Sequence, residues 1–91
     1  MILEDVKTAL RISHDSLDDE ILDLIEEARH DLMLSGVSSE KAKNDEDSLI
    51  KRAIKTYCKA EFSSDIKDAE RFHLSYKLLK IHLALAGDYN A

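Results

Sequence analysis

The sequence predicts an all-α protein, a small bundle of about four helices with a long C-terminal helix. Three observations carry that prediction. The 91 residues include no proline and only two glycines, so little in the chain opposes regular backbone. Leucine, alanine, glutamate, lysine and aspartate dominate, a composition that reads as helical. Apolar residues recur at i, i+3, i+4 and i+7 rather than at every second position, which is a helical period and not a strand period. The length suits one domain, residues 1–91, with a modest core.

The first helix is expected over Met1 to Ile12, where Leu3, Val6, Ala9 and Leu10 share a face. Ser13-His14-Asp15-Ser16 is a cluster of turn formers that stops it. Ser16 then reads as the N-cap of a second helix, with Asp19 completing a capping-box-like Ser-x-x-Asp. Asp18, Asp19 and Glu20 crowd the first turn, where the helix dipole favours negative charge. This helix runs to about Leu34, with Leu17, Ile21, Ile25, Ala28 and Leu32 as its core stripe and Leu24 beside it. Gly36 is placed to be its left-handed terminator.

Val37 to Asp47 is strongly polar and reads as a loop, either a simple connection or a segment that orders on meeting a partner. The third helix spans about Ser48 to Phe62, capped by Asp45 or Asp47, and buries Leu49, Ile50, Ala53, Ile54, Tyr57 and Ala60. Ser63-Ser64 breaks the chain, and Ser64 or Asp65 caps the last helix, Ile66 to Ala86, which Gly87 ends.

That last helix has two apolar stripes. Phe72, Tyr76, Leu79 and Leu83 share one face, and Leu74, Leu78, Ile81 and Leu85 lie roughly 160° or more away at about 100° per residue. A helix apolar on two sides needs something packed on both. The larger anchors, Phe72 and Tyr76, assign their side to the core. The other stripe is then expected to meet another molecule.

Thirteen basic against nineteen acidic residues give a net charge of −6, which does not favour tight wrapping of DNA. One cysteine excludes an internal disulfide and suits a reducing compartment. No charged-then-apolar leader and no long apolar run point to secretion or a membrane, so the chain is expected to be cytosolic where it is made.

Several residue groups invite a chemical reading. Glu27/His30 and Glu70/His73 have the Glu-x-x-His spacing of helical di-iron sites, but His30 projects away from the Ile25–Ala28 core stripe, and the other helices offer no inward glutamate. His14-Asp15 and His30-Asp31 resemble the His-Asp pair of metal phosphohydrolases without the further ligands those sites need. Cys58 has no neighbouring histidine to activate it and reads as a small core side chain. No catalytic, cofactor-binding or metal-ligating residue is therefore expected.

The charged helix faces remain. Lys51, Arg52, Lys55 and Lys59 line one side of the third helix, and Asp19, Asp23 and Glu26, with His30, line the outer side of the second. Such faces ordinarily meet water. If they meet another copy, the two sets are complementary, and together with Leu74, Leu78, Ile81 and Leu85 they make the candidate subunit interface. A small regulatory module binding nucleic acid through the third-helix stripe is the alternative, without the basic recognition helix that sequence-specific binding requires.

The opening MILEDVKTALRISHDSLDDEILDLIEEAR resembles the start of phage head–tail connector proteins, also called phage DNA-packaging proteins. It has their short Leu-x-x-Val-Lys-x-x-Leu-Arg-Ile helix, a His/Asp-rich turn and an acidic helix. The closing AERFHLSYKLLKIHLALAGDY resembles the last helix of small connectors from phages of Gram-positive bacteria. The interior loop lacks the Gly-Arg-Pro type element that larger members carry. The resemblance implies a non-enzymatic subunit without cofactors, made in the host bacterial cytoplasm and incorporated at the head–tail junction of the virion. It also implies a homo-oligomeric ring that docks on the portal protein and offers a surface to a tail-side connector or stopper protein. Double-stranded DNA would pass through the channel without sequence-specific binding.

Overall fold

Five α-helices follow one another in the computed structural model, which describes residues 2–90: α1 (Ile2–Leu10), α2 (Asp18–Leu34), α3 (Ser39–Ala42), α4 (Ser48–Phe62) and α5 (Ile66–Leu85). No β-strand occurs among the described residues, only an isolated antiparallel bridge between Val37 and Asn90. The hub is α4, which packs against α1, α2 and α5, while α3 lies on α2. Buried Ile21, Ile25, Ala28 and Leu32 from α2 meet Ile50, Ala53, Ile54 and Cys58 from α4, with Val6 from α1 and Leu83 from α5 closing the core.

Local signals account for most helix ends. Asp47 caps α4 by accepting from the Leu49 and Ile50 amides, and Asp65 caps α5 by accepting from the Asp68 amide. At the end of α2, Gly36 adopts φ +116° while Val37 N–H donates to the Leu32 carbonyl and Gly36 N–H to Met33, the paired bonds of a Schellman motif. The same pair closes α1, Ile12 N–H to Lys7 and Arg11 N–H to Thr8, with Arg11 at φ 60° in the place glycine usually takes. This left-handed residue ends α1 two residues before the expected Ile12; Met1, the expected start, lies outside the described residues.

Four expectations need correction. Ser16 does not cap α2: the N-cap position is Leu17, with no side-chain bond, and the Ser16 hydroxyl pairs with His14 Nδ1 at 2.7 Å. The turn is held instead by the buried Lys7, whose ammonium lies 2.8 Å from Asp15 Oδ1 and 2.8 Å from Asp18 Oδ1. Donating to these two carboxylates raises the Lys7 pKa, so the ammonium stays charged despite desolvation.

The segment from Val37 to Asp47 is already ordered. Val37 is buried, Ser38 caps the one-turn α3, and Ala42 is buried beneath Arg29. The Arg29 guanidinium donates to the Ala42 carbonyl at 2.9 Å and to Asp45 at 2.6 Å, so Asp45 serves this contact rather than the cap of α4. Leu49, expected in the core, is 37% exposed because α4 buries a narrower arc than its apolar pattern suggests.

The last correction concerns the C-terminus. The chain leaves α5 through Ala86 in an extended conformation (φ −75°, ψ 125°), and Gly87 is not left-handed. The following residues turn back onto the fold. Ser38 N–H donates to the Tyr89 carbonyl at 2.8 Å, and the Tyr89 hydroxyl reaches Asp47. The tail thereby joins the end of α5 to the start of α4.

Candidate subunit interface

Helices α4 and α5 form an antiparallel hairpin. Lys59 lies over the Phe72 ring, the Tyr57 and Tyr76 rings meet edge to face at 5.1 Å, and Asp47 meets Tyr89. The pairing turns α5 by its core stripe, with Tyr76 and Leu83 buried and Phe72 and Leu79 half-buried. Leu74, Leu78, Ile81 and Leu85 therefore face outward, between 46% and 78% exposed. Four large apolar side chains in one row along a helix make a continuous patch of the kind that marks an interaction surface.

Along one edge of this patch lies a groove between α1, α4 and α5. Its floor and walls include Ala9, Arg52, Lys55, Lys59, Phe72 and Leu78. Arg52, Lys55 and Lys59 sit on one face of α4 at positions i, i+3 and i+7, roughly opposite its buried stripe at about 100° per residue. No carboxylate among the described residues lies within ion-pair distance of any of the three. Lys51 does not join them. It leans toward α1, with its ammonium 3.6 Å from Asp5.

The other flank of the hairpin is acidic. Asp19, Asp23 and Glu26 form an exposed row along α2. Beside the row is a shallow hollow lined by Asp23, Glu26, Glu27, His30, Asp31 and Leu34, among others. Within it Glu27 accepts from the Tyr57 hydroxyl at 3.1 Å, while Asp31 accepts from Tyr76 at 2.7 Å and from Lys80 at 3.0 Å. Burial, followed by the hydrogen bond to Asp31, pushes the Tyr76 pKa up. Burial and then the Glu27 bond push that of Tyr57 up to about 12, so both phenols remain donors at neutral pH.

Residue spacing alone did not bring out Leu34, which is 75% exposed at the end of this acidic face. The signal was present, since Leu34 falls within roughly 20° of Asp23 on the helical wheel. Glu27 and Asp31 were weighed from spacing only as metal ligands; their role as acceptors was not visible because their partners Tyr57, Tyr76 and Lys80 are distant in sequence.

The groups weighed for chemistry are not assembled into sites. Glu27 and His30 face solvent, as do Glu70 and His73, and His73 Nε2 lies 3.6 Å from Glu61. Among the described residues no group of three or more His, Cys, Asp or Glu is placed to hold a metal ion. Cys58 is fully buried, and desolvation, with smaller contributions from Glu27 and Glu61, pushes its thiol up to about 12, far from a reactive thiolate at neutral pH.

A family profile described as phage connector protein matches residues 2–90, nearly the whole chain. The chain belongs to the phage connector protein family. No curated protein and no solved structure matches it. The connector is thus a bacteriophage structural protein, and connection implies contact with other proteins of the virion. No helix of the connector among the described residues is long and apolar enough to cross a membrane.

Proposed function

We propose that this connector acts as a single domain, assembling into a homo-oligomeric ring under the portal protein at the head–tail junction. The ring extends the DNA channel and presents a surface to the next tail-side connector or stopper protein. Its role is structural and non-catalytic, and it needs no cofactor. The chain is made in the host bacterial cytoplasm and ends in the virion.

One observation carries this reading: a single chain bears a basic groove and an acidic ridge on opposite flanks, with the exposed stripe Leu74, Leu78, Ile81 and Leu85 alongside the groove. A two-fold contact of either charged flank with itself would set like charge on like. A head-to-tail contact matches them, and head-to-tail contacts close into rings when the rotation allows. Leu74, Leu78, Ile81 and Leu85, the bases Arg52, Lys55 and Lys59, and the acids Asp19, Asp23 and Glu26 are the proposed subunit-contact residues; Lys51, expected from spacing to join them, is drawn instead toward Asp5. Net charge −6 suits a channel through which DNA slides without sticking, because few cations are available to displace its counterions.

Imaging of the virion junction after deletion of the gene tests the reading. Loss of one ring below the portal, with filled heads that leak DNA and carry no tail, is the expected outcome. An intact junction would refute it. The basic groove is the observation favouring a nucleic-acid-binding module instead. Retention of duplex DNA at low salt, abolished by Lys51→Glu with Lys55→Glu, would support that alternative.

A further inference from the structure

The charged rows on α4 and α2 match in spacing as well as sign, and the match holds in one direction only. Arg52, Lys55 and Lys59 follow i, i+3, i+7, whereas Asp19, Asp23 and Glu26 follow i, i+4, i+7. Read backwards, from Glu26 to Asp23 to Asp19, the acidic row also becomes i, i+3, i+7. Each row spans about 10.5 Å at 1.5 Å rise per residue. We infer that α2 of a second copy lies antiparallel to α4 in the basic groove, pairing Glu26 with Arg52, Asp23 with Lys55 and Asp19 with Lys59. This rests on the ring-forming reading above and specifies its contact.

Three further features agree. Like charges three and four positions apart on a helix repel, so each row is unfavourable in the isolated chain and is relieved by the other. Little of either row is spent internally: Arg52, Lys55 and Lys59 have no carboxylate partner among the described residues, although Lys59 lies over the Phe72 ring, and of the three acids only Glu26 has an ion-pair contact, Arg29 Nε at 3.5 Å. The apolar ends also coincide. In the antiparallel sense Leu34, two turns beyond Glu26, lies toward the end of the groove where Leu85 is exposed, and each of the two is at least 75% exposed in the single chain. Lys51, held by Asp5, falls outside the contact.

Zero-length carbodiimide cross-linking tests the pairing, because it joins a lysine to a carboxylate only when the two touch. Unlabelled and 15N-labelled wild-type chains are mixed at low ionic strength, linked, and read by peptide mass spectrometry. Mixed-isotope links from Lys55 to Asp23 and from Lys59 to Asp19 are expected, and 0.5 M-scale salt should remove them, since exposed pairs are screened at high ionic strength. Links within one chain, Lys80 to Asp31 and Lys51 to Asp5, serve as controls that the reagent has reacted. The Lys55→Glu and Asp23→Lys variants should each lose the mixed-isotope links, and an equimolar mixture of the two should recover association. A dominant Lys59–Glu26 link would overturn the antiparallel sense. Controls without any mixed-isotope link would overturn the pairing, as would mixed links elsewhere. The ring reading is judged separately, from the virion junction.

Discussion

The Tyr89 hydroxyl donates to Asp47 across 42 positions of chain, 2.8 Å from Oδ2 and 3.1 Å from Oδ1. The same carboxylate accepts the Leu49 and Ile50 amides and so caps α4. Lys41 lies over the Tyr89 ring, 5.2 Å from its centroid. One residue at the end of the chain therefore secures the start of the central helix. Tyr89→Phe removes the bond to a charged acceptor and should cost about 1.5 kcal/mol, at the lower end for such bonds because the pair is partly solvated. Asp47→Ala removes the cap as well and should cost about 2 kcal/mol. Urea denaturation measures both, and the double variant should lose less than the sum because the two changes share a bond.

Leu78 and Leu83 lie on opposite faces of α5 and should respond differently. Leu78 is 60% exposed, so Leu78→Glu should leave helicity and stability within about 0.5 kcal/mol of wild type while abolishing self-association. Leu83 is fully buried, and Leu83→Ala should cost about 2–5 kcal/mol. Circular dichroism and light scattering separate the two effects. Loss of fold in Leu78→Glu would assign that stripe to the core.

The two Schellman turns predict opposite glycine effects. Arg11 holds a positive φ without being glycine, and a left-handed residue with a side chain costs roughly 1–2 kcal/mol. Arg11→Gly should therefore stabilise the fold by about 1 kcal/mol. Gly36→Ala should destabilise it by a similar amount. A Cβ at Gly36 would meet only Ala84 Cβ at 3.7 Å, an ordinary contact, so the loss would be conformational rather than steric. Thermal melts of the two variants should move in opposite directions.

Acid should weaken the fold through Asp31 and Asp47. For each, burial is the largest influence and pushes the pKa up, but hydrogen bonds outweigh it and hold the carboxyl below its ordinary value of 3.8. The donors are Tyr76 and Lys80 for Asp31, and Ile50, Tyr89 and Leu49 for Asp47, with the charge of Lys41 adding to the latter. As pH falls, the unfolded chain takes up these protons before the folded chain does. The stabilisation is complete above the ordinary value and is lost as pH drops through the folded pKa values. Urea midpoints measured down this range should fall, and more shallowly in Tyr89→Phe, which lacks one of the bonds that keep Asp47 ionised.

Most of the fold was legible because helices obey local rules. The bounds of α4 and the caps Asp47 and Asp65 follow from residues a few positions apart, as does the glycine turn at Gly36. The failures share a cause. Ser16 and Asp19 satisfy a local capping rule, but Lys7 draws Asp15 and Asp18 toward α1 and the turn takes another shape. Val37 and Ala42 lie in a polar segment, and only Arg29 reaching from α2 and Tyr89 returning from the C-terminus give it a buried side.

The candidate interface divides in the same way, between spacing along single helices and contacts made on folding. Residue order determined the helices, the two apolar stripes of α5 and the opposite charge of the two flanks, since each depends on spacing along one helix. The outward turn of Leu74, Leu78, Ile81 and Leu85 came from the hairpin, where Tyr76 against Tyr57 and Leu83 in the core bind the other stripe to α4. The separation of Lys51 from the basic row, and of Asp45 from the cap of α4, came from partners on other helices. Spacing defines which side chains share a face. Which face is buried, and which charge is already paired, depends on contacts between segments far apart in the chain.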